Sequence, residues 1–142
     1  MKKNEKHKKI LNFIKRYKIG VLATVDTEGK PEAASMAFSQ TVDLKLIFQT
    51  PNYYRKYGNL KKNPNVAVVF GFSLEEFIAV QYEGVAKEAG ADEVGKFQKI
   101  HITKNPYSVR FTNLPENKYF IVEPKWIRYW DFKTEEKFVL KF

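Results

Sequence analysis

Short runs rich in β-branched and aromatic residues follow one another along this chain with turn residues between them, and no other feature narrows its fold as far. Residues Ile19 to Val25 form an apolar run closed by Asp26-Thr-Glu-Gly-Lys30, a turn in which Gly29 tolerates positive φ, so a hairpin follows. Pro31 to Ser39 reads as a second strand. Asp43 to Gln49 reads as a third, with Leu44, Leu46 and Phe48 on one face. Val66 to Phe70 is apolar on both faces and belongs in the middle of a sheet or barrel wall. Glu76 to Lys87 predicts a long, bent strand with Gly84 as a bulge or close approach. Lys118 to Glu123 and Trp126 to Phe132 are two further strands interrupted by Pro124, with Glu136 to Phe142 a candidate last one. Ala91 to Ile100 reads as a helix with Asp92 and Glu93 near its positive end, and residues 101–117 as mostly irregular. Strands in meander order with helices as side elements predict a mostly β chain, closed or nearly closed into an antiparallel barrel.

The length of 142 residues suits one domain, and the aromatic content of 15%, with 12 Phe and 8 Tyr, favours strands. The absence of Cys excludes disulfides and thiolate chemistry. His7 and His101 are the only histidines, so a protein-built metal site is not expected. Any redox chemistry then needs a borrowed cofactor. A net charge of +9 raises nucleic acid or an anionic membrane as partners. Much of that charge lies in residues 3–18, where Ile10, Leu11, Phe13, Ile14 and Tyr17 recur at helical spacing, which reads as an amphipathic helix docking on the body. No signal-peptide core or membrane span is legible, and a cytoplasmic location is expected.

The stretch from Phe48 to Pro64 carries the chemistry. Asn52 is placed to cap a helix running from about Tyr53 to Lys62. Arg55 and Lys56 then fall in its first turn, where free N–H groups and the positive dipole end favour an anion. A planar fork and a compact ammonium side by side suit different oxygens of one phosphate, and Thr50 adds a hydroxyl. A solvated surface helix is the alternative reading of the same residues.

The first strand's Gly-x-Leu-Ala-Thr phrase, the Gly29-Lys30-Pro31 turn, the strand Ala33 to Phe38, and the ordered run from Thr50 through Arg55-Lys56 to Asn63-Pro64 resemble the pyridoxamine 5′-phosphate oxidase-like family. The resemblance covers roughly residues 19 to 132 and points to its small general-stress-protein branch. It implies an FMN-binding split β-barrel over residues 1–142, a homodimer with FMN at the subunit interface, and Arg55 and Lys56 on the phosphate. It also implies Gln49 and Thr50 near the phosphate or ribityl chain. Ala34, Ser35, Met36 and Ala37 would line the flavin ring, which Trp130 would approach from one subunit. Small side chains there let a backbone meet the flavin's polar edge. Gln81 lies on the strand where the oxidase uses a glutamine, although the match through Gly84 puts Ala79 at that position. The oxidase's C-terminal Arg-x-His motif and the cation ending its second strand are missing, and Tyr54 stands where a small hydroxyl residue often precedes Arg-Lys. Pyridoxamine 5′-phosphate is therefore not the expected substrate.

The resemblance implies an FMN-dependent oxidoreductase with an unidentified small-molecule or electron-transfer partner. No acid or base is nominated for it. Deazaflavin or haem in the same cleft, a flavin protein that stores or senses without turnover, and a nucleic-acid-binding small barrel are the competing readings.

Overall fold

The computed structural model describes residues 1–142. The elements are α1 (Lys3–Lys15), β1 (Ile19–Val25), β2 (Pro31–Ala37), β3 (Ser39–Gln40), β4 (Leu46–Pro51), α2 (Arg55–Lys62), β5 (Asn65–Phe70), β6 (Ile78–Glu88), α3 (Val94–Lys104), a 3-10 turn (Pro106–Phe111), β7 (Asn117–Asp131) and β8 (Lys137–Lys141). All strand pairs are antiparallel, in the order β2-β1-β5-β6-β7-β4-β3, and β8 pairs with β7 beyond the end of β4. The two ends of this path, β2 and β3, are separated in the chain by Phe38 alone, so the sheet curls on itself. The result is a mostly antiparallel split barrel flanked by helices.

Alternation decides what fills the barrel. Leu22, Val66, Val68, Phe70, Val80, Tyr82, Phe120, Val122 and Ile127 point inward from their strands and are buried with Phe38, Leu44, Leu46 and Phe48. Helix α1 adds Ile10, Phe13 and Ile14, one apolar stripe at helical spacing, and its lysines stay outside. Lys104 reaches from α3 to the far end of α1 and donates to the Ile14 carbonyl at 3.1 Å and to Gln40 Oε1 at 2.6 Å. It thereby adds a second donor to a carbonyl that already accepts from the Tyr17 N–H, at the helix end where the dipole favours a cation. No helix is long and apolar enough to cross a membrane.

Several local expectations are corrected by non-local contacts. The second strand stops at Ala37, and Leu44 sits in a left-handed turn (φ 67) before β4, its side chain buried. The Tyr82 hydroxyl donates to the Leu44 carbonyl at 2.7 Å, which holds that turn in place. Strand β7 runs unbroken through Pro124, because the register shift between Glu83 and Gly84 sets Pro124 opposite Gly84 and leaves Lys125 as the extra residue. A bulge is where a sheet tolerates a missing N–H. Helix α3 begins and ends later than the pattern predicts and takes in His101, and the stretch after it is a 3-10 turn.

His101 is fully buried, with Nδ1 2.9 Å from Ser39 Oγ. Burial, helped by Lys104, lowers its pKa to about 4, so the folded protein holds a neutral imidazole. An unfolded chain takes up that proton near the ordinary value of 6.5. Stability is therefore complete above about pH 6.5 and is lost as pH falls toward 4, by about 3 kcal/mol. Urea midpoints measured between those limits should show this slope, and His101→Gln should flatten it.

Candidate functional site

Strand β4 alternates Leu46, Phe48 and Thr50 toward the barrel with Ile47 and Gln49 toward α3. Thr50 is buried and Gln49 accepts from Asn117 Nδ2 at 3.2 Å, so the two face opposite sides of the sheet. Past Pro51, the Asn52 N–H donates to the Glu116 carbonyl at 2.9 Å, which ties the chain to the start of β7. Asn52 lies two residues before the N-cap and does not cap the helix. Tyr54 occupies the N-cap position with no side-chain cap bond, and α2 begins at Arg55 rather than Tyr53. Arg55 and Lys56 still fall in the first turn, where backbone N–H groups lack helical acceptors.

That helix start closes a cleft of about 360 Å³ against the first hairpin. Strand β1 contributes Leu22 and Thr24, β2 contributes Glu32, Ala33 and Ala34, and Tyr53 to Lys56 form the other wall. Arg55 Nη1 lies 2.9 Å from Glu32 Oε2, with the arginine side chain 81% exposed and the glutamate 15%. Glu32 Oε1 accepts from Asn59 Nδ2 at 2.7 Å, and the same amide donates to the buried Thr24 Oγ1 at 3.1 Å. Lys56 Nζ sits 4.8 Å from the centre of the Tyr54 ring. Burial first, and the neighbouring Arg55 second, hold the Lys56 ammonium below the usual lysine range. The cleft thus concentrates two cations, one of them partly desolvated, around a fixed carboxylate.

Strand β2 pairs with β1 alone and is an edge. The Phe38 N–H donates to the Lys18 carbonyl and the Asp26 N–H to the Lys30 carbonyl. With Lys30 and Phe38 bonded inward, Glu32, Ala34 and Met36 turn their main-chain groups to β1, leaving those of Ala33, Ser35 and Ala37 on the free edge. Side chains alternate as well. Glu32 and Ala34 face the cleft and Met36 packs on the core, whereas Ser35 and Ala37 face the outer side of the sheet.

The outer side is unusually apolar. Ser35, Val21, Val69, Gln81 and Arg128 form one row across β2, β1, β5, β6 and β7, and Ala33, Ala23, Ala67, Glu83 and Trp126 form the next. Strand β5 is central, as its composition predicts, but the second of its two apolar faces lies on this surface rather than under a layer. Trp130 is on the same face, paired with Ala79, stacked at 4.0 Å on Phe132 and crossed by Lys137 Nζ at 4.7 Å. It does not line the cleft. Of the residues singled out from sequence, the structure brings Ala34, Arg55 and Lys56 together, sets Ser35, Ala37 and Trp130 on the outer face, and buries Thr50 behind the helix start.

Glu32 and Asn59 are the residues that sequence reasoning missed. The available signal was an acid at an inward position of a strand otherwise made of small residues, which demands a partner. No three His, Cys, Asp or Glu side chains are grouped so as to hold a metal ion.

A family model described as pyridoxamine 5′-phosphate oxidase matches residues 7–131. No curated protein matches the chain. Among solved structures, the chain is similar to general stress protein 26 from Bacillus anthracis, with 26% identity and a TM-score of 0.76 over 97% of this chain and 99% of that one. It is similar to a general stress protein 26-related protein of the pyridoxinephosphate oxidase family from Clostridium acetobutylicum, with 17% identity and a TM-score of 0.77 over 100% and 97%. It also matches a haem-binding protein from Mycobacterium smegmatis in fold, with 16% identity and a TM-score of 0.83 over 99% of this chain, which spans 58% of that protein's length.

Proposed function

This chain belongs to the pyridoxamine 5′-phosphate oxidase family, and on that premise we propose that it binds FMN in the cleft between β2 and α2 and works as a flavin-dependent oxidoreductase on a substrate other than pyridoxamine 5′-phosphate. One observation carries this: Arg55 and Lys56 converge on the same cleft as Ala33 and Ala34. Two cations beside unpaired helix N–H groups suit a phosphate. The adjoining free edge of β2 offers main-chain donors and acceptors at Ala33, Ser35 and Ala37, with small side chains that let a flat ring approach. When bound, FMN supplies the electron-transfer chemistry, and the chain's residues bind and orient it.

A haem neighbour makes haem the competing ligand, but neither histidine lines this cleft. His7 Nε2 contacts the Val42 carbonyl at 2.7 Å and His101 is buried beside Ser39. FMN therefore ranks first. Added FMN should give bound-flavin absorbance in the near-ultraviolet and blue, bleached without air by NADH or NADPH. Protein that leaves the FMN spectrum unchanged on titration defeats the proposal.

The second part of the reading is a homodimer. Val21, Ala23, Ala67, Val69 and Trp126 form an apolar outer face next to Ser35 and Ala37, and a second copy over it would bring its own Trp130 toward the ring. Light scattering should give twice the chain mass. Val21→Glu, whose charge would be buried without a partner in the interface, should return a monomer that retains its circular dichroism and, lacking the second copy's contacts to the ring, binds FMN at least tenfold more weakly.

A further inference from the structure

We infer that Glu32 sets the charge selectivity of the β2–α2 cleft, weakening its preference for a phosphate group with two negative charges over the same group with one. The inference deepens the flavin reading and rests on it. A carboxylate in a phosphate-binding cleft needs explaining, and its surroundings show that it is held there. Each oxygen has its own donor, Asn59 Nδ2 at 2.7 Å on Oε1 and Arg55 Nη1 at 2.9 Å on Oε2. Asn59 is in turn anchored to Thr24, and both are buried. Glu32 cannot swing away when an anion arrives without leaving one N–H of a buried amide unpaired.

The carboxylate has two consequences for a ligand. It steadies the guanidinium of an otherwise exposed arginine, leaving the remaining donors of the fork toward the cleft. It also leaves one net positive charge from two cations and an anion. The other charged or titratable groups near the clasp are the Tyr53 and Tyr54 phenols on the facing wall and, in the β1–β2 turn, Asp26, whose carboxylate feels Arg55, with its ion-pair partner Lys30 at 3.9 Å. A phosphate monoester loses its second proton near pH 6, so the two charge states interconvert in an accessible range. Across a half-exposed site several ångströms wide, one fixed carboxylate disfavours the extra charge by about tenfold.

FMN and riboflavin differ only in the phosphate, so the ratio of their affinities isolates it. FMN and riboflavin are titrated into the full chain at about pH 5.5 and about pH 8, on either side of the phosphate's second ionisation. Glu32→Gln, which keeps an acceptor for Asn59 without the charge, should exceed wild type in its preference for FMN at both. The excess should be about tenfold larger at the higher pH. Glu32→Thr gives the same comparison should the glutamine variant fold poorly. Identical pH profiles in wild type and variant overturn the inference while leaving FMN binding intact. Wild type that prefers FMN to riboflavin at neither pH removes the phosphate clasp, and with it both readings.

Discussion

Alanine at both Arg55 and Lys56 is expected to raise the dissociation constant for FMN at least a hundredfold while leaving the fold in place. Each side chain offers a phosphate a charge-assisted hydrogen bond, worth about 1.5–3 kcal/mol apiece, and each 1.4 kcal/mol is tenfold in affinity. Lys56 is partly desolvated before any ligand arrives, so its charge is poorly screened and its contribution belongs at the upper end. Arg55 is largely exposed, and its pair with Glu32 adds little to stability. The melting temperature of the double variant should therefore stay within about 3 °C of wild type. Riboflavin, which lacks the phosphate, should bind the variant almost as well as wild type. An FMN affinity within about threefold of wild type, read by fluorescence or calorimetry, would show that these cations do not hold the phosphate.

Gly84→Val should be among the most damaging single changes in the chain. A Cβ there would stand 2.4 Å from the Glu123 carbonyl oxygen, 2.7 Å from Val122 Cγ1 and 3.0 Å from a Tyr82 ring carbon. Backbone oxygen cannot move aside as a flexible side chain can. The clash falls where the bulge sets Pro124 opposite Gly84, midway along the β6–β7 ladder, so relief requires separating the two longest strands. Overpacking of this kind costs about 3 kcal/mol or more, roughly a 10 °C loss in melting temperature for a chain of this size. Gly58→Ala is the control. It lies within α2 with nothing within 4 Å of its added carbon, and should be neutral or stabilising by about 0.5 kcal/mol. A Gly84→Val protein within about 1 kcal/mol of wild type would mean that the strands can open here cheaply.

Much of this architecture is written locally. Apolar, β-branched runs at Ile19–Val25 and Val66–Phe70 mark strands, Asp26 and Gly29 mark the first hairpin, and Ile10, Phe13 and Ile14 mark the buried stripe of α1. Arg55 and Lys56 at a strand-to-helix junction mark the cleft, and Gly84 marks the bulge. These features rest on side-chain period and backbone φ, which depend on a few neighbouring residues and so are legible in order along the chain.

The rest depends on partners far away in sequence. Asn52 is a good helix cap by type, yet its main chain is drawn to Glu116 and the helix starts without it. Pro124 is a strand breaker by type, yet Gly84 supplies a bulge that absorbs it. Gln49 and Thr50 are adjacent in the chain and opposite in the fold. Arg55 meets Glu32 only because the curled sheet brings the first hairpin beneath the start of α2. The sequence by itself determined which segments are extended, which are helical and where an adjacent pair of cations stands. Only the tertiary structure decided which carboxylate answers that pair and which sheet face stays uncovered, because burial and charge pairing are settled between residues that the chain's local preferences do not relate.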